Sequence, residues 1–145
     1  MIGLIQRVKS AQVTVEGETT ASIQTGLLVL VGFQADDQPP KIPRFVERVT
    51  GFRIFSDKNG KMNQSVQDKE GEILWVPQFT LVADTRSGRR PSFSNAAPPP
   101  AAVSLFDALM TDAKAQFPCS QFGQFGAHME VSLTNNGPVT FWIEE

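Results

Sequence analysis

The tightest constraint on this chain is a run of five residues without a polar break, Leu27-Leu28-Val29-Leu30-Val31, opened by Gly26. A strand sends successive side chains to opposite faces, so a run that is apolar throughout must be covered on both sides. The run is far too short to cross a bilayer, which takes about 20 apolar residues in a helix. Ile73-Leu74-Trp75-Val76 repeats the pattern and leads into Pro77-Gln78-Phe79-Thr80-Leu81. The chain therefore needs a sheet with a layer on each face.

The other segments supply those layers. Ile2 to Lys9 alternates loosely and Gln12-Val13-Thr14-Val15 alternates strictly, which predicts two strands. Glu16-Gly17-Glu18 turns into a third, Thr19 to Ile23, to make a hairpin. Ile42, Phe45, Val46 and Val49 recur at helical spacing, and Gly51 closes that helix. Ala102, Leu105, Phe106, Leu109 and Ala113 form the apolar stripe of a second helix. Phe52 to Phe55 reads as a short strand, Ser56 to Gly60 as a turn, and Asp84 to Pro100 as a long loop. Phe122 to Leu133 and Val139 to Ile143 read as two further strands joined through Thr134 to Pro138. The expectation is a single α/β domain over residues 1–145, with sheets covered by two helices.

Counting removes most catalytic chemistries. The sequence has one His, one Cys and no Tyr. A Ser-His-Asp or Cys-His arrangement rests on His128 alone. Its neighbours Phe125, Met129 and Val131 point to a structural or rim position. A zinc site needs three or four nitrogen or sulfur ligands, so no metal is expected. There is neither a Walker phosphate loop nor a Gly-rich dinucleotide fingerprint. The lone Cys119 permits no internal disulfide, and the N-terminus lacks the pattern of a secretory signal, so the expected setting is the cytoplasm, without a membrane. A net charge of −2 argues against coating nucleic acid by bulk charge, although a local basic site is compatible with it.

Two segments stand out. In the first, polar Gln78 and Thr80 end an apolar strand, and Arg86, Arg89 and Arg90 follow closely. A solvated strand end and loop would account for it, as would a small phosphate-binding patch. The second is Asn135-Asn136-Gly137-Pro138-Val139-Thr140. Asn, Gly and Pro suit a hairpin turn. An X-Pro bond is also the one peptide type that readily adopts the cis form.

In order and spacing these fragments resemble the D-aminoacyl-tRNA deacylases. The likeness runs from Met1-Ile2-Gly3-Leu4-Ile5-Gln6-Arg7-Val8 through Arg53-Ile54-Phe55-Ser56-Asp57 and Arg90-Pro91-Ser92-Phe93-Ser94 to Phe141-Trp142. Of that family's two signatures, Asn-x-Gly-Pro-Val-Thr is matched in full by Asn135 to Thr140. Ser-Gln-Phe-Thr is matched at Gln78, Phe79 and Thr80, with Pro77 in place of the Ser. Proline has neither the hydroxyl nor an N–H, so the departure bears on strictness of selectivity rather than on the reaction.

The resemblance implies a three-layer β/β/α fold with mixed and antiparallel sheets, and a homodimer with sites at its interface. It implies hydrolysis of the ester between a D-amino acid, or glycine, and the 3′ end of tRNA, with no cofactor. Gln78, Phe79 and Thr80 become the catalytic segment, with the N–H groups of Phe79 and Thr80 as oxyanion donors. Gly137-Pro138, in cis, is implied to enter the partner's pocket and reject L-amino acids by its backbone. Phe79 and Met129 would line that pocket, beside Pro77, and Arg7 is a candidate for holding the loop. Arg86, Arg89 and Arg90 are candidates for tRNA phosphates. Two rival readings are a non-catalytic nucleic-acid-binding protein, suggested by the arginines, and a deacylase relaxed toward an L-amino acid, suggested by Pro77.

Overall fold

The structure, a computed structural model, describes all 145 residues. Its spine is β1, Ile2–Val15, one strand of 14 residues where the alternation pattern suggests two. One edge of β1 pairs antiparallel first with β2, Glu18–Ile23, and then with β3, Gly26–Gly32. Its other edge pairs along its length with β8, Glu130–Glu144. Parallel pairing then adds β6, Glu72–Pro77, to β3 and β7, Ser120–Phe122, to β6. A separate two-stranded piece joins β4, Phe55–Ser56, to β5, Met62–Gln64. The helices are α1, Ile42–Thr50, and α2, Pro99–Gln116, which pack on each other. No helix is long and apolar enough to cross a membrane.

The six-stranded sheet curls over itself, and two apolar clusters mark its two faces. The larger, of 23 residues, lies between sheet and helices and takes Leu27, Val29 and Val31 from β3 with Ile73 and Trp75 from β6. The smaller, of 8 residues, lies within the curl and takes Leu28 with Leu74 and Val76 from those same strands. Alternate residues of β3 and β6 thus enter different cores, which is why neither strand has a polar side. The result is the β/β/α layering, and both predicted helices form.

Several boundaries differ from the sequence reading. Only Phe55 of the segment Phe52 to Phe55 is in a strand, because the Ile54 carbonyl is taken by the Arg7 guanidinium at 2.7 Å. The Ser56 to Gly60 turn is built on Asp57, whose carboxylate accepts N–H from Lys61 and Asn59 and is held below the usual carboxylate range by those bonds. Phe122 to Leu133 is not one strand: β7 ends at Phe122, and 123–129 form a loop in which Gly126 has φ +77°. The long loop ends one residue before Pro99 and is tied down by Asp84 pairing with Ser92 and Gln34 with Ala96.

The hairpin expected at Thr134 to Pro138 does not exist. Asn135 pairs with Val8 and Thr140 pairs with Gln6, so the strand runs in one direction on both sides. Between those pairs β1 contributes only Arg7, whereas β8 contributes 136–139. The surplus is extruded as a wide bulge.

The inner core is small, so it is sensitive to a void. Leu74 has no exposed surface. Leu74→Ala should lower unfolding stability by about 3 kcal/mol, read from urea denaturation, with no change at the surface loops.

Candidate active site

Pro77 ends β6 at the mouth of a cleft of about 320 Å³. One wall is Val76, Pro77, Gln78 and Phe79; the other is the loop 125–129 with Val131. The sheet sets both. Odd residues of β6 face β7, with Ile73 N–H bonded to the Cys119 carbonyl at 3.0 Å and the Trp75 carbonyl accepting Gly123 N–H at 2.8 Å. Even residues face β3, and Gln78 N–H donates to the Val31 carbonyl at 2.7 Å. Pro77, which has no N–H, faces the same side as Ile73 and Trp75, at the point where the pairing of β6 with β7 stops.

Beyond Gln78 the chain makes one 3-10 turn, Phe79–Val82. Leu81 N–H closes onto the Gln78 carbonyl at 3.2 Å, and Ala83 N–H onto that of Thr80 at 3.2 Å. The N–H groups of Phe79 and Thr80 open this turn and donate to no group of the protein. Both residues are exposed. The Thr80 hydroxyl accepts the side-chain amide of Gln78. The Phe79 ring is 56% exposed and leans on Phe93, with centroids 5.1 Å apart.

The opposite wall is held from below. Trp75 Nε1–H donates to Ser120 Oγ at 3.1 Å inside the core, fixing β7 against β6. The Met129 sulfur accepts Gln124 N–H at 3.3 Å, closing the loop on itself. Gly123 lies under this contact: a Cβ there would stand 3.0 Å from Met129 Sδ and 3.3 Å from Pro77 Cδ. His128 is exposed on the cleft's lining, in the loop rather than in a strand. No three His, Cys, Asp or Glu side chains converge as for a metal ion.

The bulge is a second constellation on the same chain. Asn135 spans its neck: Oδ1 accepts Val139 N–H at 2.7 Å, and Nδ2 reaches the Val139 carbonyl at 3.1 Å and Thr140 Oγ1 at 3.2 Å. Arg7, the residue opposite, donates from Nε to the Asn136 carbonyl at 2.8 Å and from Nη1 to the Ile54 carbonyl at 2.7 Å. The Gly137-Pro138 peptide is cis, and both residues are exposed. A Cβ on Gly137 would stand 2.5 Å from Val139 Cγ2, so only glycine fits. The structuring role of Asn135 was missed from sequence; its signal was an Asn followed four residues later by the end of the bulge.

The structure thus brings Pro77, Gln78, Phe79 and Met129 to one cleft; Thr80 follows Phe79 along the chain and is not part of the lining. Arg7, Gly137 and Pro138 form the bulge and do not line that cleft. The arginines are on the exposed Asp84–Ser92 loop. Arg86 is clamped by Asp84, with Nε–Oδ1 at 2.9 Å and Nη2–Oδ2 at 2.6 Å, and its guanidinium holds that carboxyl well below the usual range. Arg89 and Arg90 make no ion pair.

The fork of Arg7 reaches two carbonyls on different segments, a geometry that a lysine point charge does not reproduce. Arg7→Lys should leave the fold intact by circular dichroism and raise amide exchange at Val139. Unchanged exchange would show that Asn135 alone holds the bulge.

A D-aminoacyl-tRNA deacylase of Nitrosococcus oceani is 54% identical over 144 residues, covering 99% of this chain and 93% of its own length. One of Escherichia coli K12 is 54% identical over 144 residues, 99% of each. Among solved structures, a c-Myc DNA unwinding element binding protein superposes with a TM-score of 0.94 at 35% identity, covering 100% of this chain and 99% of its own. A probable eukaryotic D-amino acid tRNA deacylase shares the fold, with a TM-score of 0.83 at 17% identity over 98% of both chains. The D-Tyr-tRNA(Tyr) deacylase family matches residues 4–144, nearly the whole length, and this chain belongs to it.

Proposed function

We propose that this chain hydrolyses the ester bond of D-aminoacyl-tRNA, releasing the free amino acid and tRNA. The observation that carries the reading is the pair of consecutive undonated N–H groups of Phe79, which lines the cleft, and Thr80, which follows it. Such donors suit the oxyanion that develops when an ester carbonyl is attacked. Water adds to the carbonyl carbon, the bond to the ribose 3′ oxygen breaks, and that oxygen takes up a proton. The neighbouring ribose 2′-OH is the activating group for the water. An aminoacyl ester is already labile, so positioning and oxyanion stabilisation suffice and no strong nucleophile is required. The Thr80 hydroxyl accepts a hydrogen bond from Gln78 and has no base drawing off its proton, which disfavours it as nucleophile.

Chirality is read by the bulge of a second copy. The chain's own cleft is open, and its own Gly137-Pro138 projects into solvent away from it. In a two-fold dimer each copy supplies the missing wall to the other. Exposed Leu133, Phe141 and Trp142 on β8, and Phe79 and Phe93 near the cleft, are the apolar surface that such a contact would cover. An L side chain would collide with the inserted backbone; a D side chain points away, and glycine, having none, is also a substrate. Phe79 and Met129 contact the bound aminoacyl group, and Pro77 sets how strictly it is held. Arg89 and Arg90 meet tRNA phosphates, with Arg86 largely neutralised by Asp84. The setting for this chemistry is the cytoplasm.

One solved relative at 35% identity is named for binding DNA, and the two unpaired arginines favour a reading as a non-catalytic nucleic-acid binder. The net charge of −2 weighs against it. Steeply salt-dependent DNA binding with no release of amino acid from charged tRNA would decide for that reading.

Release of D- against L-amino acid from charged tRNA tests the proposal: D-amino acid is released and L-amino acid is retained, and comparable release of both would assign Pro77 a relaxed site. Thr80→Ala should keep a large part of the activity, since the backbone N–H remains. Abolished turnover with an intact fold would reinstate a hydroxyl nucleophile. Sedimentation should give a dimer, and a fully active monomer would overturn the shared wall.

A further inference from the structure

The loop that walls the cleft also leads somewhere else. Phe125 lines the cleft on one side and a second groove, of about 680 Å³, on the other. This groove lies between the exposed flank of α2 and the edge strand β7. Asp107, Met110 and Lys114 line it from α2 at helical spacing, and Gln121 and Phe122 from β7. Lys114 Nζ stands 5.3 Å from the centroid of the Phe122 ring. Phe125 rests on the buried Phe106, with centroids 6.1 Å apart, so its position is fixed by the core. Asp107 and Lys114 are exposed and take part in no ion pair.

We infer that this groove receives the unpaired cytidines that precede the terminal adenosine of tRNA. The inference rests on the deacylase reading and extends its substrate contacts. Continuity is the first argument: a strand whose terminal ribose ester lies in the cleft must leave it, and the shared Phe125 makes the groove an adjoining path. Chemistry is the second. Single-stranded nucleic acid is held by aromatic faces that stack on bases and cations that track phosphates, and Phe122, Phe125 and Lys114 supply both. Asp107 is the third: a carboxylate repels phosphate, yet it accepts from the exocyclic amine of cytosine. The mixed lining fits a cytosine base on Phe125, its amine toward Asp107 and its phosphate toward Lys114, which sits over the Phe122 ring.

The test uses a ladder of substrates: a D-amino acid esterified to adenosine, to the dinucleotide cytidylyl-adenosine, and to the trinucleotide ending in two cytidines and adenosine. For the native protein, kcat/KM should rise along the ladder, on the order of tenfold for a stacked base. Lys114→Glu should remove most of the rise through KM, leaving kcat and the adenosine ester unaffected. On charged tRNA it should also flatten the salt dependence by about 0.7 in log–log slope, the effect of one single-strand phosphate. Asp107→Ala, on the exposed helix face, removes the acceptor and should weaken only substrates that carry a cytidine. A flat ladder, or equal effects of Lys114→Glu on all three esters, would overturn the inference. So would a shifted monomer–dimer equilibrium in Lys114→Glu, which would assign the groove to a second copy. Failure of the deacylase reading is distinguishable, since the adenosine ester itself would then survive.

Discussion

The register between β1 and β8 governs everything that makes this fold more than a curled sheet. The two strands stay in antiparallel pairing along nearly their whole length, from Ile2 with Glu144 to Thr14 with Glu130. Yet one residue of β1 faces four of β8 at Arg7. A strand cannot absorb three surplus residues within its ladder, so they must leave it. Every peptide group in the extruded segment loses its cross-strand partner and needs a substitute. Asn135 supplies one from its side-chain amide and Arg7 another from its guanidinium. The Asn136 carbonyl and Val139 N–H are thereby fixed, while Gly137 and Pro138 protrude on a rigid base. A hairpin turn at the same place would have been mobile and would have ended the strand. The bulge is stiff because the sheet continues beyond it.

The cleft follows from the opposite situation, a sheet that runs out. β7 is three residues long, and beyond the Gly123 N–H that the Trp75 carbonyl accepts, the β7-facing side of β6 has no backbone partner. The chain leaves as the 123–129 loop, and Pro77, which has no N–H to give, occupies the point where the pairing of β6 with β7 stops. Turning into a short 3-10 segment then leaves two consecutive amides, those of Phe79 and Thr80, without an acceptor in the protein. Neither feature depends on an ionisable side chain. On the proposed reading the site draws its electrostatics from fixed backbone dipoles, which need no reorganisation as charge develops. That agrees with a sequence holding one imidazole, one thiol and no phenol.

The layers were legible from sequence because burial on both faces leaves an unmistakable mark. The apolar runs at Leu27 to Val31 and Ile73 to Val76 are the strands shared by both cores, and the stripes on α1 and α2 are the faces against the larger one. The strand ends were not legible. Alternation over Phe122 to Leu133 continues through a loop because Phe125, Met129 and Val131 line a cleft, and a cleft wall has the same apolar chemistry as a core. Composition alone leaves the bulge open between a hairpin turn and a cis X-Pro bond, because Asn, Gly and Pro suit any reversal of direction, whereas pairing on both sides is a long-range property. Arg7 is marked as a candidate for holding the loop by the resemblance alone, because its partners lie 47 and 129 residues away. Membership of the deacylase family, by contrast, was carried by the order of many weak fragments, none of which required knowing the local structure.

The substitution at Pro77 shows how the sheet confines the effect of a sequence change. A serine there could offer an N–H and a hydroxyl. Proline withdraws both and fixes its own φ, but the next residue still hydrogen-bonds to Val31, so the path into Phe79 and Thr80 is unchanged. The backbone amides assigned to the oxyanion therefore survive the change. What differs is the wall: the proline ring comes close to Gly123, where even one added methyl would press on both Pro77 and Met129. On the proposed reading the reaction depends on amides that the sheet positions, whereas selectivity depends on a wall made from Pro77, Met129 and a neighbour's backbone. The two properties are carried by different atoms, so a chain can alter its discrimination at position 77 without moving the groups that stabilise the transition state.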